Sequence, residues 1–294
     1  MLDWVQFVLA PQMINGLSIG VAVVLMALGL TIIFGLLDVI NMAHGEFYAI
    51  GAYLAVALVG LGLSFWWALL LTPLIMAALG YVTERGLIQR VFHSKDRHTL
   101  TLLLTFGLGV VLEDLLKIAF GANPLRLDAP ITGATEMLGL FFPNYRLFVM
   151  GFGALLIAAV WLLVFRTSLG AIVRAAAFDR HMSASLGVPV SRVYAATFAF
   201  GVALAALAGV LLAPIYSVFP TMGRDFVLIA FSVVIIGGMG SIKGAVLAGL
   251  LLTQVQAISS LFISPVWSDP LLFGIMVLVL MWRPQGLFGK LGHA

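Results

Sequence analysis

Residues 13–36 read MINGLSIGVAVVLMALGLTIIFGL, without one charged side chain. A helix needs about 20 such residues to cross roughly 30 Å of hydrocarbon. Further apolar stretches follow at 43–61, 66–81, 100–120, 147–165, 193–212, 226–239, 244–262 and 271–282. The last three are short or interrupted by glycine. Only helices and closed barrels satisfy their backbone hydrogen bonds inside lipid. Here the apolar residues come in continuous runs and do not alternate with polar ones, which excludes a barrel. With 63% of 294 residues hydrophobic and 9% charged, the chain reads as an all-α polytopic membrane protein of about 8–9 transmembrane segments, including Gly-broken helices. It reads as a single transmembrane domain over 1–294, because neither long polar stretch, 121–146 or 165–192, can bury a core of its own.

The second of those stretches is the longest departure from apolar character. Residues 165–193, FRTSLGAIVRAAAFDRHMSASLGVPVSRV, hold Arg166, Arg174, Arg180 and Arg192 with only Asp179 opposed. Arg85, Arg90, Lys95 and Arg97 share another loop, Lys243 a short turn, and Arg283 and Lys290 the C-terminal segment. If the spans alternate, those eleven of fifteen basic residues lie on one side, which the positive-inside rule makes the cytoplasm. The N-terminus is then outside and the C-terminus cytoplasmic. Arg126, Arg146 and Arg224 fall opposite, diluted by Asp128, Glu136 and Asp225. The N-terminal residues lack a basic n-region and a small-residue cleavage site, so the first span is expected to be retained.

Within the island, residues 171–186 predict one short helix, because Ala175, Ala176, Ala177 and Met182 are helix formers and Gly187 before Val188-Pro189 stops it. A small helix offered to the cytosol invites a partner. Ile172, Ala175, Ala176, Met182 and Leu186 would give it an apolar strip, and Arg174, Asp179 and Arg180 polar contacts that fix register.

Candidate chemistry is sparse. Asn41, His44 and Glu46 cluster in INMAHGEF beside Gly45, where small residues at four-residue spacing let helices approach. The cluster either borders an aqueous route or caps a helix, with Asn41 as the N-cap. Glu113 and Lys117, four apart, can pair on one helical face; with Asp114 they could instead form a proton relay. Residues 237–245, GGMGSIKGA, lack the spacing of a phosphate loop and read as close packing or a helix break. No G-x-S-x-G elbow and no H-E-x-x-H helix occurs, and zero cysteines exclude a thiolate nucleophile or cysteine metal site. No catalytic or metal-binding residue is therefore expected. The basic excess, 15 against 12, consists of topology-setting loop charges and does not call for nucleic acid. Residues 30–53 and 228–249 echo one another, each running from an apolar segment through a polar-glycine patch into a small-residue helix. Such pairs point to a substrate route in transporters; here they nominate Asn41, His44, Gly45, Gly237, Gly238 and Gly240.

The stretch beginning RTSLGAIVRAAAFDRHMSASLGVPVSRV resembles the coupling-loop region, about 166–192, of ABC importer permeases of the branched-chain amino-acid (Liv) family. GLLDVINMAHGEFYAIGAY and VVIIGGMGSIKGAVLAG resemble two further family blocks, in order, and the likeness is to the H-type member of the paired permeases. Phe178 departs from the pattern, which leads one to expect a polar residue before Asp179. The resemblance implies a bacterial inner-membrane permease with an ABC importer fold and no cofactor of its own. Its implied partners are a second homologous permease, two cytoplasmic ATPases that bind ATP, an extracytoplasmic substrate-binding protein and membrane lipid. Arg174, Ala175, Ala176, Asp179, Arg180, Met182, Leu186 and Gly187 would then couple to an ATPase. The implied cargo is branched-chain or other hydrophobic amino acids, with urea or short-chain amides as the alternative. A proton-coupled secondary transporter using Glu113, Asp114 or His44, and a channel, are the readings from other classes.

Overall fold

The computed structural model describes residues 4–289 apart from His93, Lys95 and Leu138. The expected basic positions Lys95 and Lys290 lie outside the described residues. The helices are α1 (Ala10–Leu37), α2 (His44–Gly60), α3 (Phe65–Thr83), α4 (Arg97–Phe120), α5 (Asn144–Arg166), α6 (Ser168–Phe178), α7 (Arg180–Ser185), α8 (Val190–Leu212), α9 (Met222–Gly237), α10 (Ile242–Ser259) and α11 (Ser268–Trp282). A wider turn, Glu84–Ile88, and a last turn, Gln89–Val91, prolong α3. Between α4 and α5 a small antiparallel hairpin pairs β1 (Ala134–Met137) with β2 (Leu140–Pro143).

Among the described residues, six helical stretches are long and apolar enough to cross a membrane: Phe7–Leu37, Phe65–Val91, Arg97–Phe120, Asn144–Arg166, Val190–Leu212 and Ile242–Ser259. The other three expected spans correspond to α2, α9 and α11, of 17, 16 and 15 residues. Their shortness has a local cause in α2 and α9, whose N-termini meet inside the bundle.

Helix α1 is the centre. It packs against α10, α8, α5 and α9, and α8 in turn packs on α3 and α2. Met26, Ala27 and Leu28 are fully enclosed, as are Ala205, Ala208 and Leu211 of α8. A helix apolar all round belongs in such a position. Helices α4 and α5 turn most of their surface outward, with Ile118 82% and Leu155 65% exposed, as helices facing lipid do. Glycine lets the central helices touch: a Cβ on Gly201 of α8 would sit 2.8 Å from the Gly29 carbonyl oxygen of α1.

Candidate functional site

Helix α1 ends at Asp38, whose left-handed backbone (φ 54°) lets its N–H reach the Phe34 carbonyl. Residues 38–43 are not helical and double back along α1. By the time α2 begins, His44 Nε2 lies 3.0 Å from the carbonyl oxygen of Met26, a residue eleven positions before Leu37. That return is about 16 Å at 1.5 Å per helical residue. Residues 38–43, left-handed at Asp38 and turned at Met42 and Ala43, cover it. Thr105 of α4 satisfies part of this stretch, accepting from Met42 N–H at 3.1 Å and lying 3.2 Å from the Ile40 carbonyl.

The N-terminus of α9 comes to the same place. A Cβ on Gly223 would lie 2.7 Å from the Gly45 carbonyl oxygen and 2.7 Å from Glu46 Oε1. Two helix N-termini thus converge beside the Glu46 side chain, whose buried Oε2 has no hydrogen-bond partner among the described residues. Asn41 and His44 are wholly buried, and neither atom of the Asn41 amide nor His44 Nδ1 has a hydrogen-bond partner among the described residues. Asn41 is therefore not the helix cap considered from sequence; the capping position is Ala43, and no side chain bonds there. Only the Asn41 carbonyl contributes, accepting from His44 N–H.

Beside this junction Glu113 is 5% exposed and holds two cations: Lys117 Nζ at 2.7 Å, and Arg224, which opens α9. Lys117 also reaches Asp114 at 3.2 Å. The pair anticipated on one face of α4 forms, with Arg224 as a third member that sequence spacing did not reveal.

The glycine patch is filled by backbone. A Cβ on Gly237 would meet the nitrogen of Ala245 at 2.7 Å, and one on Gly238 (φ +99°) would meet the Cα of Gly289 at 2.8 Å. A Cβ on Gly240 (φ +80°) would lie 3.4 Å from the Cα of Gly35 in α1. Of the six nominated route residues, Gly240 lines an open cavity, of about 1040 Å³, at the basic end of the bundle. The walls of that cavity include Asp38, Glu84, Arg97, Ala176, Arg180 and Tyr194.

Over the same cavity lies the polar island, and it is two helices where the sequence predicted one over 171–186. Thr167 Oγ1 accepts from Gly170 N–H and starts α6 at Ser168. Asp179 then breaks the helix: its backbone is extended, and its carboxylate accepts from the N–H groups of His181 and Met182 at 2.8 and 2.9 Å, capping α7. Gly187 (φ +84°) ends α7 in a Schellman arrangement, with Val188 N–H on the Ser183 carbonyl and Gly187 N–H on that of Ala184.

This break redistributes the eight nominated coupling residues. Ala176, 2% exposed, points inward and packs with Phe198 and Ile88 in the inner cluster. Arg174 bonds back to the Val164 carbonyl and lies 5.6 Å from the Phe165 ring; Asp179 is occupied as a cap; Arg180 lies over Phe92. Ala175, Met182, Leu186 and Gly187 face outward. Phe178, which sequence reasoning marked only as a departure, is 91% exposed and is the most prominent apolar side chain of the island.

Sequence reasoning missed a second cavity, of about 270 Å³, at the opposite end between α1, α9 and α10. Its lining includes Gln12, Asn15, Tyr216 and Gln256. These residues come from distant parts of the chain: Gln12 bonds Ser260 across 248 positions.

The family described as branched-chain amino acid transport system / permease component matches residues 12–280. The chain belongs to this permease family. The high-affinity branched-chain amino acid transport system permease protein LivH of Salmonella typhimurium is 32% identical over 95% of both chains. BraD of Pseudomonas aeruginosa, named as a permease protein of the same kind of system, is 31% identical over 95% of both. LivM of Salmonella typhimurium is 29% identical over 94% of this chain and 71% of its own length. A chain of PsaBC from Streptococcus pneumoniae, solved in complex with Fab, superposes with a TM-score of 0.52 at 16% identity over 98% of this chain and 96% of that one. That likeness is one of fold. The members of the permease family are multi-pass membrane proteins, and the six long apolar helices here agree with that.

Proposed function

We propose that this chain is the H-type transmembrane permease subunit of an ATP-driven importer for branched-chain or other hydrophobic amino acids. The observation that carries this reading is the match over residues 12–280 to a permease family and to LivH over 95% of both chains. The relatives' named cargo supports amino acids over the urea or short-chain amide alternative. A likeness to both LivH and LivM supports pairing with a second, homologous permease. The binding protein outside and the two ATPases inside complete the assembly, and ATP is bound by the ATPases. The basic residues Arg97, Arg166, Arg180 and Arg192 argue for a cytoplasmic location of the α6–α7 end, which puts the N-terminus outside and the C-terminus inside.

In this mechanism the permease does no covalent chemistry. Phe178, Met182 and Leu186 dock on an ATPase, and closure of the ATPases moves α6 and α7. Ala176 and Arg180 pass that movement to the walls of the inner cavity. The ion pairs of Glu113 support a structural role over a proton relay, because its carboxylate is already held by two cations. Uptake by the complete transporter in vesicles tests the reading. Leucine import abolished by vanadate and insensitive to an uncoupler while ATP is maintained is the expected result; the opposite sensitivities would establish a secondary transporter.

A further inference from the structure

The cavity at the Gln12 end is built unlike the lipid-facing surface around it. Gln12, Asn15, Thr253, Gln256, Ser260 and Ser268 supply neutral donors and acceptors. Ile19, Val23, Phe226, Ile229 and Ala257 supply apolar surface to the same lining. Among the described residues no charged side chain is part of the lining itself, and Arg146 stands behind it on Asn15. Polar groups set among membrane helices face a cavity and not hydrocarbon, since lipid would leave them unpartnered. Here the polarity is also held in place. Gln12 Nε2 donates to Ser260 Oγ at 2.8 Å, Gln254 Nε2 to the Met13 carbonyl at 2.9 Å, and Arg146 to Asn15 Oδ1. Gln254 Oε1, buried and without a hydrogen-bond partner among the described residues, would lie 3.1 Å from a Cβ on the cavity-lining Gly16. The cavity follows one face of α1 from Gln12 to Val23, about 16 Å at 1.5 Å per residue.

We propose that this cleft is an acceptor subsite in the permease itself for a zwitterionic amino acid with an aliphatic side chain. Its volume of about 270 Å³ lies just under the 300–1,000 Å³ range typical of drug-sized ligands, so it is scaled for a small solute. A lining of amides and hydroxyls suits an ammonium and a carboxylate carried together, and the Arg146 guanidinium held on Asn15 adds a positive charge at its edge that favours the carboxylate and disfavours a ligand of net positive charge. The wall of Ile19, Val23 and Ile229 takes the aliphatic side chain and gives a short amide such as urea little to bury. The enclosed stretch of α1 from Val24 to Leu28 floors the subsite, so cargo waits there before the route opens. This inference rests on the importer reading above and deepens it.

The chain contains no cysteine, which makes the test direct. Gln256→Cys is introduced into the complete transporter in ATP-free proteoliposomes, with Ser264→Cys, exposed beyond the end of α10, as the control. Both are labelled with a membrane-impermeant maleimide from the side of the binding protein. Leucine is expected to slow labelling of Gln256→Cys by the factor 1 + [L]/Kd, about tenfold at nine times Kd, and to leave Ser264→Cys unchanged. Urea and lysine protect neither. A second variant, Ile229→Phe, fills the apolar wall and should lower leucine uptake relative to alanine uptake in an assembled transporter. Labelling of Gln256→Cys from that side without leucine protection overturns the subsite while leaving the importer reading intact. Loss of the second permease from the Ile229→Phe complex also overturns it, since the cleft is then a subunit contact. A parent complex that imports no amino acid instead defeats the importer reading itself.

Discussion

The imidazole of His44, at the first residue of α2, meets the carbonyl oxygen of Met26 in the middle of α1 across 3.0 Å. A carbonyl can only accept, so Nε2 carries the proton and Nδ1 is left without a partner among the described residues. The contact pins the doubled-back residues 38–43 to the central helix. Replacing His44 by Ala removes the bond and leaves a void beside Gly29, whose added Cβ would lie 3.1 Å from the ring. The loss is expected to be about 2–4 kcal/mol, combining a buried hydrogen bond with a cavity. Thermal unfolding of the purified permease in detergent measures it; an unchanged midpoint would show that the contact does not hold the break.

Glycines at helix crossings and glycines facing outward should respond oppositely to alanine. Gly51 would set a Cβ 2.8 Å from the Cβ of Ala206, so Gly51→Ala should cost about 1–3 kcal/mol through forced separation of α2 and α8. Gly107 and Gly151 have nothing within 4 Å of an added Cβ, and their replacement by Ala should stabilise by up to about 1 kcal/mol. Equal unfolding midpoints for all three variants would contradict the packing described.

Glu113 joins α4 to α9 through Arg224 and to its own helix through Lys117. Glu113→Gln leaves both cations without their anion at a site 5% exposed. About 3–5 kcal/mol is the scale for breaking a buried pair; the exposure of Lys117 (41%) and Arg224 (64%) places the expected loss below that. A double-mutant cycle between Glu113→Gln and Arg224→Gln reads the coupling. A coupling energy near zero would mean that this ion pair contributes nothing to holding α4 on α9.

The break between α6 and α7 depends on the Asp179 carboxylate. Asp179→Ala should cost about 0.5–2 kcal/mol of local stability, and Asp179→Asn only a small part of it, because asparagine caps nearly as well. ATP hydrolysed per leucine imported should rise for the alanine variant and stay near the parent value for asparagine. If the asparagine variant fails as badly as alanine, the charge and not the cap is what matters.

How far the chain could be read in advance varies with the range of the interaction. The long helices follow from runs such as 13–36, and the stop at Gly187 follows from a left-handed turn that glycine alone adopts easily. The break at Asp179 was also written locally, but its flanking alanines suggested continuity, and the cap outweighed their propensity. The inward turn of Ala176 depends on contact with α8, which periodicity alone does not give. Glu113–Lys117 was legible as an i,i+4 pair, whereas Arg224 joins from 111 positions away. The Gln12–Ser260 cleft was invisible for the same reason.

In the proposed mechanism ATP-driven work enters this permease through the outward face of α6 and α7. Phe178, Met182 and Leu186 are 91%, 64% and 80% exposed, so Met182→Asp with Leu186→Asp changes that face without touching the buried Ala176. The deciding measurement is substrate-stimulated ATPase activity and leucine uptake on the co-purified complex carrying both substitutions. The permease is expected to insert normally while the ATPases dissociate or hydrolyse ATP without import; parent-level coupling in that double variant would rule out this route.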